Sequence, residues 1–307
     1  MNRREFLRTM ALAGAAVAID MRSVTSAFAQ GSRSSVDLVA VMGGEPAPML
    51  NRMLAEYGGI ETFVKKGAKV VLKPNIGWDK TPELGANTNP EVVGEMVKLC
   101  MAAGAAEVQV FDNTCDNWQR CYASSGIEAA VKAAGGKMVP AADKSYYVEV
   151  PLPGGEKLKN ARIHQSILDC DVWFNIPVMK HHSGAKMSIA MKNYMGIVYD
   201  RQIFHSTDLQ QCIADVATYD KKPALHIVDA YRVMVQNGPR GKSENDVVLL
   251  KSLLASADPV AVDTASVKMF AQAKPMILAN VSHIGKGEAL GLGTTNIDTL
   301  NVKRIRM

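Results

Sequence analysis

The residues Lys180-His181-His182 and the Lys186 to Asn193 segment that follows bring three lysines, two adjacent histidines and an amide into one short stretch. Lysine ammonium groups hold anionic ligands, and histidine moves protons near neutral pH. The apolar spacing from Lys186 to Ile197 predicts a helix that begins near Ser183 or Gly184. The free amides and positive end of such a helix favour an anion. Lys186 in its first turn would oppose the dipole unless a negative ligand offset it. Seven residues separate Lys186 from Asn193, so two turns would set both on one face. The plainer account is a solvated lysine face.

Other polar residues fall where predicted strands end. Lys73-Pro74-Asn75 closes one, Asp112-Asn113 another, Pro177 to His182 a third and Asp229 a fourth, while Asp258-Pro259 follows the last. In open parallel sheets, ligands occupy the crevice outside the carboxyl ends of the strands. We therefore expect one shared site. Lys73, Asn75, Asp112, Lys186, Lys192, Asn193 and Asp229 would bind the ligand there, and Lys180, His181 and His205 would do chemistry. Capping explains Asp258 before Pro259 well, but lysines and paired histidines are not ordinary capping residues. The histidines also allow a divalent metal, held by His181 or His182 with His205; His182 is the ligand assigned. Adjacent histidines point in different directions, so no more than one of the pair would ligate. No His-x-x-x-His spacing fixes two ligands on a helix face. Hydrogen bonding to an anion or proton transfer is the alternative role.

These residues need elements to position them. Short β-branched runs at Val36 to Met42, Lys69 to Pro74, Glu107 to Asp112, Asp171 to Pro177, Ala224 to Asp229 and Val248 to Ala255 read as strands. Helical patterns cover Met49 to Tyr57, Pro90 to Ala103, Ile127 to Ala134, Lys186 to Ile197, Thr207 to Tyr219 and Pro259 to Phe270. Their alternation predicts an α/β fold, a mostly parallel sheet with helices on both faces. Tyr146 to Val150, a Pro-Gly-Gly turn and Lys157 to Arg162 predict a small antiparallel hairpin inserted in that scheme.

The N-terminus reads as a twin-arginine export signal. Arg3-Arg4-Glu5-Phe6-Leu7 precedes an uncharged run from Thr9 to Ile19, and Ala27-Phe28-Ala29 offers a cleavage site. Residues 1–29 would be the signal and residues 30–307 one α/β domain, carried by the twin-arginine machinery to the periplasm or another extracytoplasmic space. The apolar run is shorter than the roughly 20 residues that span a bilayer, so no stable membrane span is expected after cleavage. Cleavage removes four arginines and two acids, which lowers the net charge from +5 to +3. With dispersed lysines and 6% aromatics, nothing tracks a nucleic-acid backbone. Among the five cysteines, Cys100 and Cys212 lie in apolar helical patterns as buried thiols. Cys115 and Cys121 share a polar loop and are the expected disulfide if one forms. No Cys-x-x-Cys run is present, so an iron–sulfur cluster bound by this chain alone is not expected.

The chain resembles the bacterial and archaeal family known as domain of unknown function 362. The resemblance runs from Val70-Val71-Leu72-Lys73-Pro74-Asn75 to Gly291-Leu292-Gly293. It is most specific at Asn175 to His182, Ser188 to Gly196, Ile227-Val228-Asp229, Asn237-Gly238-Pro239 and Ala257 to Asp263. Many relatives carry a ferredoxin-like module with cysteine clusters, which implies redox or iron–sulfur work for them; this sequence lacks the clusters. It also has Asn87-Thr88-Asn89-Pro90 where relatives often show threonine and histidine before the proline. Two functions then stand as expectations. One is an enzyme or cofactor-handling protein, with a redox or cofactor-related role, whose crevice holds a small anion. The other is a non-catalytic periplasmic binding protein using the same crevice.

Overall fold

A computed structural model describes residues 36–307. The expected export signal and its cleavage site lie outside the described residues.

The strands are β1 (Leu38–Met42), β2 (Lys69–Pro74), β3 (Glu107–Val110), β4 (Lys137–Met138), β5 (Tyr147–Pro151), β6 (Asn160–His164), β7 (Val172–Ile176), β8 (Lys180–His182), β9 (Lys186–Ser188), β10 (Leu225–Met234), β11 (Val247–Ser256) and β12 (Val302–Arg306). The helices are α1 (Pro46–Glu56), α2 (Pro90–Ala102), α3 (Trp118–Ser124), α4 (Ile127–Ala133), α5 (Gln165–Asp169), α6 (Ala190–Asn193), α7 (Gln202–Ser206), α8 (Leu209–Val216), α9 (Pro259–Phe270) and α10 (His283–Ala289). Eight strands form one sheet in the order β12-β1-β11-β10-β7-β2-β3-β4. Within it β11 runs antiparallel to both neighbours, and every other pairing is parallel. The expected α/β class holds. Strands β5 and β6 form the predicted antiparallel hairpin, Tyr147 opposite His164 through Pro151 opposite Asn160.

Strand alternation explains why both faces are covered. Along β2, Val70 and Leu72 enter one core with α1, α2 and α4, whereas Val71 enters the other with α8, α9 and α10. Sequence-local signals set the helix starts. Asn89 caps α2 by accepting from the Glu91 amide, and Asp258 caps α9 by accepting from the Ala261 amide, each followed by Pro at the first helical position. Asp258 is thus the cap that the plainer account anticipated.

Two expectations fail. The helix from Lys186 is replaced by a tight hairpin of β8 and β9, and helix forms only from Ala190. The burial shows why: Ala185, Met187 and Ile189 are all buried, a period of two that belongs to extended chain. His182 reinforces the turn, since its Nδ1 accepts from the amides of Gly184 at 3.1 Å and Ala185 at 3.0 Å. Lys186 and Asn193 therefore share no helix face. Asp229, second, does not close its strand, because β10 continues to Met234. Among the described residues no helix is long and apolar enough to cross a membrane.

Candidate functional site

Strands β2, β3 and β7 lie side by side and run in one direction, so the chain leaving each arrives at the same edge. Lys73 and Asn75 stand at the end of β2, Asp112 just past β3, and the β8–β9 hairpin follows β7. With α6 and the loop to Arg201 they enclose a cleft of about 620 Å³. Lys73, Asn75, Asp112, Lys180, His182, Lys192, Asn193 and His205 all line it.

The floor is a continuous polar network. Lys73 Nζ, fully buried, lies 2.8 Å from Asp112 Oδ1, a charge contact, and donates at 2.8 Å to both the Pro74 carbonyl and Asn193 Oδ1. Burial lowers the Lys73 pKa, and the Asp112 charge opposes that shift. Asp112 Oδ2 also accepts from the Ile76 amide at 2.6 Å, and the Tyr122 hydroxyl donates to its carbonyl at 3.0 Å. Asn193 is tied to Lys73 O and Asn175 Oδ1 through its amide, while its Oδ1 accepts from Asn75 at 3.2 Å. Asn75 Oδ1 in turn accepts from Lys180 Nζ at 3.2 Å. Gly196 lets this floor close up, because a Cβ there would collide with Asp112 Oδ1 and Lys73 Nζ.

Lys180 differs from Lys73. It is equally buried and donates to Asn75 Oδ1 and the Ala86 carbonyl, yet among the described residues no carboxylate pairs with it. Burial, then the Lys192 charge, lowers its pKa to about 7. Among the described residues Lys192 has only the Met195 sulfur as a side-chain partner, at 3.6 Å, and burial brings its pKa to about 8. Arg201 is a third cation without an ion pair to a carboxylate among the described residues, its Nη1 3.2 Å from Cys115 Sγ. The second carboxylate at the cleft, Asp200, is engaged by Arg162. Cationic groups thus outnumber available carboxylates, which is the electrostatic form of an anion site.

His182 has its tautomer imposed. Its Nδ1 accepts two backbone amides, so that nitrogen keeps its lone pair and the neutral ring carries hydrogen on Nε2. A ring in this state donates; it has no lone pair left for a metal. Burial, followed by the Lys192 and Lys180 charges, pushes its pKa down to about 2. Among the described residues no group of three or more His, Cys, Asp or Glu side chains could hold a metal ion. His205, exposed on α7 at the rim, has a lowered pKa, through desolvation first and then Lys192 and Arg201.

Three expected residues do not join the cleft. His181 alternates to the other face of β8, where its Nδ1 accepts from the Gly238 amide at 3.0 Å. Lys186 is exposed on β9 outside the cleft. Asp229 is buried and accepts from the amides of Asn89 at 2.8 Å and Tyr231 at 3.0 Å, so it fixes the start of α2. Desolvation raises its pKa to about 6. The amides at the start of α6 are likewise spoken for, since Asp263 accepts from Ala190 at 2.7 Å and Met191 at 3.0 Å.

Cys115 and Arg201 are cleft residues that sequence reasoning did not assign. All five cysteines are free, so the expected Cys115–Cys121 disulfide is absent. Asn117 caps α3 by accepting from the Arg120 amide, and the helix turns Cys121 into the core, whereas Cys115 stays exposed beside Arg201. The Asn117-Trp118 step was the available signal. Cys100 and Cys212 are buried as expected.

The fold and cleft define an α/β protein with lysines and an arginine gathered at the strand ends of its sheet. Residues 70–268, which include every cleft residue, match the family described as a domain of unknown function (DUF362), and the chain belongs to that family. It is 25% identical over 254 residues to a thylakoid-associated protein of Synechocystis sp., covering 80% of this chain and 75% of that one. A crystal structure of a Thermotoga maritima protein superposes with a TM-score of 0.48 and 12% identity, over 75% of this chain. The chain spans 60% of that protein's length.

Proposed function

We propose that this chain is a protein exported by the twin-arginine route that binds a small phosphate- or carboxylate-bearing molecule in the strand-end cleft. One observation carries the reading: Lys180 and Lys192 line one cleft, and among the described residues neither forms an ion pair with a carboxylate. Like charges held close raise the free energy of the empty protein, and an anion relieves them. The cleft volume suits a substrate or cofactor of small-molecule size. His182 supplies a fixed donor and His205 a group able to move a proton at the rim. Lys73, by contrast, is neutralised by Asp112 and holds the floor.

The test is a melting curve of the mature protein with phosphate, sulfate and small carboxylates. A ligand at about 100 times its Kd adds about 2.7 kcal/mol, enough for a rise of several degrees. A panel that leaves the melting temperature unchanged would count against the reading. For export, replacing Arg3 and Arg4 with lysine should retain the precursor in the cytoplasm; continued export would contradict the twin-arginine route.

A further inference from the structure

We propose that Lys180 forms a Schiff base with a small aldehyde or ketone that carries a phosphate or carboxylate, the anionic end resting against Lys192 and Arg201. The inference rests on the anion reading of the same cleft and adds a covalent step to it. Lys180 Nζ has two acceptors, Asn75 Oδ1 at 3.2 Å and the Ala86 carbonyl, and no carboxylate among the described residues. A neutral amine that gives its two hydrogens to those acceptors has its lone pair in the remaining tetrahedral direction. Lys180 belongs to the cleft lining, and the cleft is the space in which its amine meets a carbonyl carbon. Lys73 cannot serve in this way, because three oxygens surround its Nζ and one of them is charged.

The step balances without an oxidant or reductant. The Lys180 lone pair adds to the carbonyl carbon, and one amine hydrogen passes to the oxygen, giving a carbinolamine. The second amine hydrogen then leaves with that hydroxyl as water, and a carbon–nitrogen double bond forms. His205, at the rim with a depressed pKa, is placed to relay the proton. Desolvation and neighbouring cations are the two means by which a lysine becomes nucleophilic at neutral pH, and Lys180 has both.

Mature protein incubated with pyruvate or with pyridoxal 5′-phosphate, then reduced with borohydride, tests the proposal by intact mass and peptide mapping. The expected product is a single adduct on Lys180 with the mass of the carbonyl compound less one oxygen. The pyruvate arm reports on a carboxylate and the pyridoxal arm on a phosphate. Inorganic phosphate should slow the reaction several-fold; Lys186→Ala should label as the parent does and Lys180→Met should not. Mapping of the parent decides the matter even if Lys180→Met fails to fold. Phosphate stabilisation without an adduct at Lys180 overturns the Schiff base and leaves the anion site standing. Adducts confined to Lys192 or to exposed lysines overturn it as well, and absence of both adduct and phosphate stabilisation overturns both readings.

Discussion

Lys73 Nζ lies 2.8 Å from Asp112 Oδ1, and that contact separates two buried lysines that look equivalent in the sequence. Removing one partner of a buried ion pair leaves the other charge uncompensated. Asp112→Asn should therefore lower stability by about 3 kcal/mol or more, read from the urea midpoint at constant slope. The Ile76 amide, which loses a charged acceptor, adds to the loss. A change below about 1 kcal/mol would mean that the pair does not organise the floor.

Lys180 gives the opposite signature, in pH. Its pKa in the folded chain is about 7 against an ordinary 10.5. Between those values the unfolded chain binds more protons than the folded one, so stability rises with pH; below about 7 the penalty of the buried charge is fully present. Measured against Lys180→Met, the parent should gain up to about 1.4 kcal/mol per pH unit across that window. Urea titrations at about pH 7 and pH 9 read the difference, and a constant gap would contradict a depressed Lys180.

Much of this arrangement was legible in the sequence because strand ends in a parallel sheet converge. Lys73, Asn75, Asp112 and Lys180 follow from that rule alone, whereas Lys192 and Asn193 were expected through a helix from Lys186 and reach the cleft instead on the short helix that starts at Ala190. The failures have local causes. Lys186 was misplaced because the apolar run was read as one helix to Ile197, past the two-residue alternation of Ala185, Met187 and Ile189, and the His182-capped turn that sets the hairpin is a side-chain effect. Asp229 was misread because nothing in Ile227-Val228-Asp229 announces that β10 continues, nor that the carboxylate faces the Asn89 amide. Arg201 belongs to no periodic pattern, and only tertiary folding brings it to Cys115.

His182 should carry its hydrogen on Nε2 and remain neutral from about pH 8 down to about pH 5, because Nδ1 is occupied by two amides and protonation is deferred to about pH 2. Nitrogen-15 spectra of the imidazole distinguish the tautomers. A ring with hydrogen on Nδ1, or one that titrates near pH 6.5, would remove the basis for a fixed donor.

Thiol labelling of the folded protein should modify Cys115 and spare Cys100, Cys121, Cys170 and Cys212, which are buried. Phosphate should slow the reaction, since Cys115 and Arg201 face the same cleft. Recovery of a Cys115–Cys121 disulfide from native protein would show that the loop before α3 adopts another geometry.

Isothermal titration of inorganic phosphate into the mature protein tests the cleft most directly, run on the parent and on Lys192→Met at two salt concentrations. The account predicts one site whose affinity falls with added salt. It predicts a loss of roughly tenfold or more in Lys192→Met, as expected for a charge-assisted hydrogen bond worth about 1.5–3 kcal/mol. Absence of binding to the parent, or equal affinity in the variant, would contradict it.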